Sequence, residues 1–159
     1  MSKTGNFLIR VYGLVVNSKQ EILISDEFEL NVKMTKFPGG GLEFGEGLID
    51  GLRREFREEC NGQELENIRH FYTTDFYQQA LFFENTQLIS IYYLADLKKP
   101  LQFKISEKAF DFEIGGSQTQ SFRWKKINAV KEDDFTFPID KFVVRKLKQT
   151  LNVKQRTDI

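Results

Sequence analysis

Apolar and polar positions change period several times along the chain. Phe7 to Val16 is an apolar run rich in β-branched and aromatic residues, interrupted by Arg10 and Gly13 and closed by Asn17-Ser18-Lys19-Gln20. With Glu21-Ile22-Leu23-Ile24-Ser25 it predicts a β-hairpin. Lys33 to Phe37 predicts a short strand ending at Pro38, and the glycines 39–41 after it predict a loop with no regular element. From Leu48 the period becomes helical. At about 100° per residue, Leu48, Leu52, Phe56 and Cys60 fall within an arc of about 120° that also holds Ile49, the expected core face of a helix over 48–60. Asn61-Gly62 turns the chain, and Glu64 to Phe76 alternates loosely as a strand. Gln87 to Leu97, the most continuous apolar run, predicts a central strand buried on both faces. Residues 101–121 read as a long mobile loop, and Ser121 to Ile127, around Trp124, as a strand. After Phe137-Pro138, the spacing of Ile139, Phe142, Val143, Leu147 and Leu151 predicts a packing helix with Lys141, Arg145, Lys146 and Lys148 on its other faces. Strands with one mid-chain and one C-terminal helix make an α+β domain. Without repeats or a linker, one domain over 1–159 is expected, its ends 1–5 and 152–159 frayed.

Composition narrows the partners. The chain has 159 residues, 40% of them hydrophobic, enough for a globular core. Twenty-three basic and 23 acidic residues leave no net charge, so no global field favours nucleic acid or an anionic membrane, and any nucleotide must be bound locally. The apolar run near the N-terminus is too short to span a bilayer. The single cysteine, Cys60, has no disulfide partner in the chain and lies on the core face of the predicted helix, which points to a reducing compartment and a cytoplasmic location. The only histidine, His70, has no second histidine or cysteine for a metal site and reads as structural. The aromatics from Phe71 to Tyr77, with Phe82-Phe83, suit core packing or a homodimer surface better than base stacking.

Chemistry concentrates in residues 39–62. Glu55, Glu58 and Glu59 are spaced i, i+3, i+4 in an arc of about 100° beside the apolar face. Three like charges in one turn repel each other, and an unpaired buried carboxylate costs several kcal/mol, so a hard divalent cation among them is expected. Gly47 and Gly51 project into the same sector, where a mid-helix glycine costs about 1 kcal/mol relative to alanine. Together with Gly39 and Gly40 they are expected to accommodate a polyphosphate over a bare strip at the helix N-terminus.

This stretch resembles the signature of the Nudix hydrolases: Gly, five residues, Glu, seven residues, then Arg-Glu-apolar-x-Glu-Glu-x-Gly-apolar. Gly40 is followed after five residues by Glu46, and after seven more by Arg54-Glu55-Phe56-Arg57-Glu58-Glu59-Cys60. Asn61 stands where the family has glycine and Gly62 where it has an apolar residue; asparagine tolerates the left-handed conformation that ends a helix. The resemblance implies an α/β/α sandwich around a mixed sheet. It also implies hydrolysis of a nucleoside diphosphate linked to another moiety, with Mg²⁺ or Mn²⁺ as cofactor. Under it, Glu55, Glu58 and Glu59 bind metal, Glu55 also takes a proton from the attacking water, Arg54 orients the acids through a salt bridge to Glu46, and Gly40 offers its carbonyl to the metal. Family members often carry a further acid a few residues before the Trp124 position. Here those places hold Gln118, Gln120 and Ser121, leaving Asp111 and Glu113 as substitutes.

Two other readings compete. A non-catalytic nucleotide-binding or regulatory module on the same fold would be marked by loss of a motif acid, and none is lost. The family's isomerases use additional Cys and His residues, which Cys60 and His70 alone do not supply. The substrate stays open among nucleotide sugars, ADP-ribose, dinucleotides, nucleoside triphosphates and capped RNA ends.

Overall fold

Apolar and aromatic residues fill seven strands, which the computed structural model, describing residues 3–157, distributes over two sheets. Two compact units result. One holds the chain through Val15 together with Pro38–Phe103, and the other Val16–Phe37 with the chain from Lys104 onward.

In the first unit β1 (Asn6–Val15), β4 (Gly39–Gly41), β5 (Leu65–Thr73) and β6 (Thr86–Leu97) form a sheet of order β4-β1-β6-β5. β1 and β6 run parallel, in register from Asn6 opposite Thr86 to Val15 opposite Ala95, while the other pairs are antiparallel, so the sheet is mixed. A parallel pair needs a long crossover, and the helix α1 (Leu48–Glu59) lies within it. Ser90, Ile91, Tyr92 and Tyr93 are buried in succession, as a central strand covered on both faces requires.

The second unit pairs β2 (Glu21–Glu29), β3 (Val32–Lys36) and β7 (Gln120–Lys126) in the antiparallel order β3-β2-β7, and ends with a short 3-10 turn and α2 (Pro138–Thr157). Its core includes Ile22, Leu23 and Ile24 of β2 and Ile139, Val143 and Leu147 of α2, with the Phe37 and Phe135 rings 4.6 Å apart. No helix among the described residues is long and apolar enough to cross a membrane.

Three expectations change. β1 and β2 do not pair as a hairpin: β4 and β6 already occupy both edges of β1, and only a Val16–Ile22 bridge remains beside a turn in which Asn17 Oδ1 accepts from the Lys19 and Glu21 amides. The three glycines form β4 instead of an irregular loop, because missing side chains remove no backbone donor or acceptor. Leu48 and Ile49, on the expected core face of α1, are 37% and 41% exposed, whereas Leu52, Phe56 and Cys60 are buried. Within the described residues α2 extends past Asn152 to Thr157, with Lys154 and Arg156 in its last turn, where basic side chains complement the helix dipole. Residues 3–5 carry no regular structure, and residues 1, 2, 158 and 159 lie outside the described chain. The stretch between β6 and β7 contains no named helix or strand; Ser106 donates its amide to the Phe122 carbonyl at 2.7 Å, and Asp111 donates its amide to Ser121 Oγ at 3.1 Å.

Candidate active site

α1 starts without a side-chain cap at Gly47 and packs on β1 through a gap that glycine leaves. A Cβ on Gly13 would stand 2.8 Å from two atoms of the Phe56 ring and 3.7 Å from Leu52 Cδ1, so this position, which reads in the sequence only as a break in an apolar run, sets how closely the helix approaches the sheet. The helix ends in a Schellman arrangement: Asn61 sits at φ 51° and the Gly62 amide donates to the Arg57 carbonyl at 2.8 Å. Asn61 Nδ2 also donates to the Gln102 carbonyl, a bond that glycine could not make.

Arg54 is the hub. Its Nε and Nη2 donate to the two oxygens of Glu46 at 2.9 and 2.7 Å, and its Nη1 to Glu55 at 3.0 Å and Glu58 at 3.2 Å. Nη2 also donates to the Gly41 carbonyl at 2.9 Å, and Glu43 stands 3.7 Å from Nε. Four carboxylates therefore face one guanidinium, a charge-assisted network with excess negative charge. The Arg54 hydrogen bonds, with help from the Glu43 amide, hold the Glu46 carboxyl down at about 2, and the hydrogen bonds to Glu46 and then Glu55 raise the Arg54 pKa further above its ordinary value. Gly41 and Glu43 carry no mark in the motif, because they bring a backbone carbonyl and a carboxylate at one of its unspecified positions.

The glycines divide by what touches them. A Cβ on Gly40 would come within 2.5 Å of the Glu55 carboxyl carbon and Oε2, so the carboxylate rests directly on β4 and any side chain there would displace it. Gly39 has φ 144° and its missing Cβ is replaced by the Val11 carbonyl, which makes it a requirement of the β4–β1 ladder. A Cβ on Gly47 would be 3.2 Å from Asp50 Oδ2. The expected bare strip at Gly51 is absent: Gly51 is buried, and a Cβ would meet Leu42 Cδ1 at 2.8 Å and Glu46 Oε1 at 2.9 Å. That glycine makes room for the chain's own Leu42 and for the carboxylate that holds Arg54, not for a phosphate.

Among the described residues, no three His, Cys, Asp or Glu side chains already form a cation-binding group, because Arg54 draws Glu46, Glu55 and Glu58 to itself. The donors nevertheless suit a hard cation: all are oxygens, Glu55 and Glu58 converge on the same Arg54 nitrogen, and the side-chain-free Gly40 adjoins Glu55. Of the substitute acids, Asp111 pairs with Lys104 at 3.3 Å and Lys108 at 3.5 Å, and a hydrogen bond from Ser106, then one from Lys104, hold its carboxyl below the usual range; Glu113 is exposed. His70 shares a hydrogen bond with Thr73 at 2.8 Å, and burial drives the Cys60 thiol far above its ordinary pKa.

The family model for the NUDIX domain matches residues 7–145. The chain belongs to the Nudix hydrolase family. Its members are generally pyrophosphohydrolases of nucleoside diphosphate derivatives and generally use divalent metal ions such as Mg²⁺ or Mn²⁺. The fold is shared with solved Nudix structures. A MutT described from Aliivibrio salmonicida and Vibrio cholerae is 24% identical over 91% of this chain and 99% of its own, with a TM-score of 0.60. A NUDIX hydrolase from Nitrosomonas europaea is 16% identical over 92% of this chain and 72% of its own, at 0.65, and a MutT protein from Bacillus halodurans is 18% identical over 89% and 82%, at 0.61. A search of curated proteins finds no match. In this Nudix chain the mixed sheet and two helices of the α+β fold are as expected, with the motif running from β4 through α1.

Proposed function

We propose that this Nudix hydrolase cleaves a diphosphate linkage in a nucleoside diphosphate derivative with the help of Mg²⁺ or Mn²⁺. The observation that carries the reading is the four-to-one imbalance of carboxylates over guanidinium around Arg54, with Glu55 seated on Gly40. Glu55, Glu58, Glu59 and the Gly40 carbonyl would hold the cation, which when bound offsets charge on the phosphoryl oxygens and lowers the pKa of water. Arg54, anchored by Glu46, keeps Glu55 and Glu58 oriented toward each other. Glu55, its side chain only 12% exposed, accepts the proton of the attacking water, and its fixed position beside Gly40 spares the reorganisation that a freely rotating base would need.

We read residues 1–159 as one catalytic domain, supported by a family match that extends across both compact units. The buried Cys60 thiol fits a reducing, cytoplasmic setting. All motif acids being present favours catalysis over a non-catalytic nucleotide-binding module. Glu55→Gln should lower turnover at least about 10²-fold, the lower end for losing general-base help, with the circular dichroism spectrum unchanged. Hydrolysis in ¹⁸O water should place label in a phosphate product. Label only on the non-phosphate product, or wild-type turnover in Glu55→Gln, Glu58→Gln and Glu59→Gln alike, would overturn the reading.

A further inference from the structure

The two ends of α1 are held differently. At the N-terminal end Gly47 supplies no side-chain cap, and Leu48 and Ile49 of the first turn are half exposed. The last turn carries Glu58 and Glu59 and leads into residues 60–64, which are knitted to residues 98–102 beyond β6.

Gln63, 1% exposed, uses both ends of its amide at this junction. Its Nε2 donates to the Glu64 carbonyl at 2.9 Å and to the Lys98 carbonyl at 2.8 Å, and its Oε1 accepts from the Gln102 amide at 2.9 Å. The Lys98 amide donates to the Glu64 carbonyl at 2.9 Å. These bonds set the 98–102 segment against the turn, but all are made by residues that lie past the helix. Asn61 brings the junction up to the helix itself. Two residues after Glu59, it donates from Nδ2 to the Gln102 carbonyl at 2.8 Å, across 41 positions of sequence.

The backbone at this point does not need an asparagine side chain. Glycine adopts φ 51° without steric cost and would keep the bond from the Gly62 amide to the Arg57 carbonyl. What the side chain adds is a tether at the place where α1 is weakest. The last carbonyls of a helix have no partners within it, and carboxylates in the last turn face the negative end of the helix dipole. Glu58 and Glu59 also repel each other as neighbours. A last turn with this composition opens readily, and a ligand set that must be re-formed on binding loses affinity in proportion to the fraction that is not preformed. We infer that Asn61 is a positioning residue: its bond to the Gln102 carbonyl keeps the last turn of α1 closed, so that Glu58 and Glu59 meet the cation already arranged. The inference rests on the cation site proposed above.

Mn²⁺ binding to the full chain, followed through the paramagnetic resonance signal of the free ion, tests it. Asn61→Gly should raise the Mn²⁺ dissociation constant about two- to tenfold, the range that one neutral hydrogen bond supports. Its melting temperature without cation should stay at the wild-type value, because the ease of glycine at φ 51° offsets the lost bond. The amides of Cys60 and Gly62, whose bonds to the Phe56 and Arg57 carbonyls close the turn, should exchange with solvent faster in Asn61→Gly than in the wild type, and at equal rates once Mg²⁺ is saturating. Equal Mn²⁺ affinity in the two proteins would overturn the inference and leave the cation site standing. So would weaker binding accompanied by a lower melting temperature without cation, since that marks a general loosening of the fold. A wild type that binds no Mn²⁺ would remove the cation site, and the inference with it.

Discussion

Among the described residues, two dense charge clusters, one in each unit, are built on opposite principles. Around Arg54 one guanidinium serves Glu43, Glu46, Glu55 and Glu58, and the outer two, Glu43 and Glu58, are 66% and 58% exposed. On the β3-β2-β7 sheet Asp26 and Glu27 each have their own base. Asp26, fully buried, takes Arg123 Nε at 2.6 Å and Nη2 at 3.2 Å and accepts from Thr35 Oγ1 at 2.7 Å. Glu27 takes Lys36 at 3.1 Å and accepts from Ser25 and Gln120. The balanced cluster has its charges neutralised and its lone pairs used, so it can be dry. The imbalanced cluster keeps spare oxygens and a net negative charge beside water, which is the condition for taking up a cation. Density of charged residues alone does not mark a site; the ratio of acids to bases does.

Cutting the balanced cluster should have the largest effect. Arg123→Ala leaves Asp26 buried with only a hydroxyl donor, and should cost about 3 kcal/mol or more in denaturant unfolding. Replacing both partners, Asp26→Asn with Arg123→Met, should recover most of that loss, because no uncompensated charge is left behind. A double variant no more stable than Arg123→Ala would show that the sheet depends on the charges themselves.

Mg²⁺ should separate the clusters next. A cation that binds the folded chain and barely the unfolded one stabilises it by about 2.7 kcal/mol at a hundredfold excess over its dissociation constant. The melting temperature should therefore rise with Mg²⁺ in the wild type and in Arg123→Ala, and the rise should shrink sharply in Glu58→Gln and Glu59→Gln. An equal rise in all four proteins would place the cation outside the Arg54 cluster.

The smallest effect is in the acid limb. Glu46 has its folded pKa lowered from 4.5 to about 2, so its contribution to stability is fully present above about pH 4.5 and is lost as pH falls toward 2. Glu46→Gln should flatten the acid dependence of the unfolding free energy in that window and lower the free energy near neutrality, where the Glu46 contribution is fully present. A slope between pH 4.5 and 2 that is identical in the two proteins would mean that Arg54 does not hold the carboxyl in solution.

What the sequence by itself determined lies where information is local. The 3.6-residue period of Leu52, Phe56 and Cys60 and the left-handed Asn61 follow from backbone geometry within a few residues and are found as expected, and Glu55, Glu58 and Glu59 lie together in the last two turns of α1. The apolar run through Gln87–Leu97 marked a central strand for the same reason, since burial on both faces leaves no polar alternation. Tertiary structure alone decided the rest. The parallel pairing of β1 with β6 joins residues about eighty positions apart and removed the edge that a β1–β2 hairpin would have used. Three glycines became a strand because β1 offered a partner, and Gly13, Gly40 and Gly51 acquired separate purposes from what pressed against them: a phenylalanine ring, a carboxylate, and a leucine with a second carboxylate. Glycine has no side chain to encode its neighbour, so its role is written in the neighbour's position, and only the folded chain supplies that.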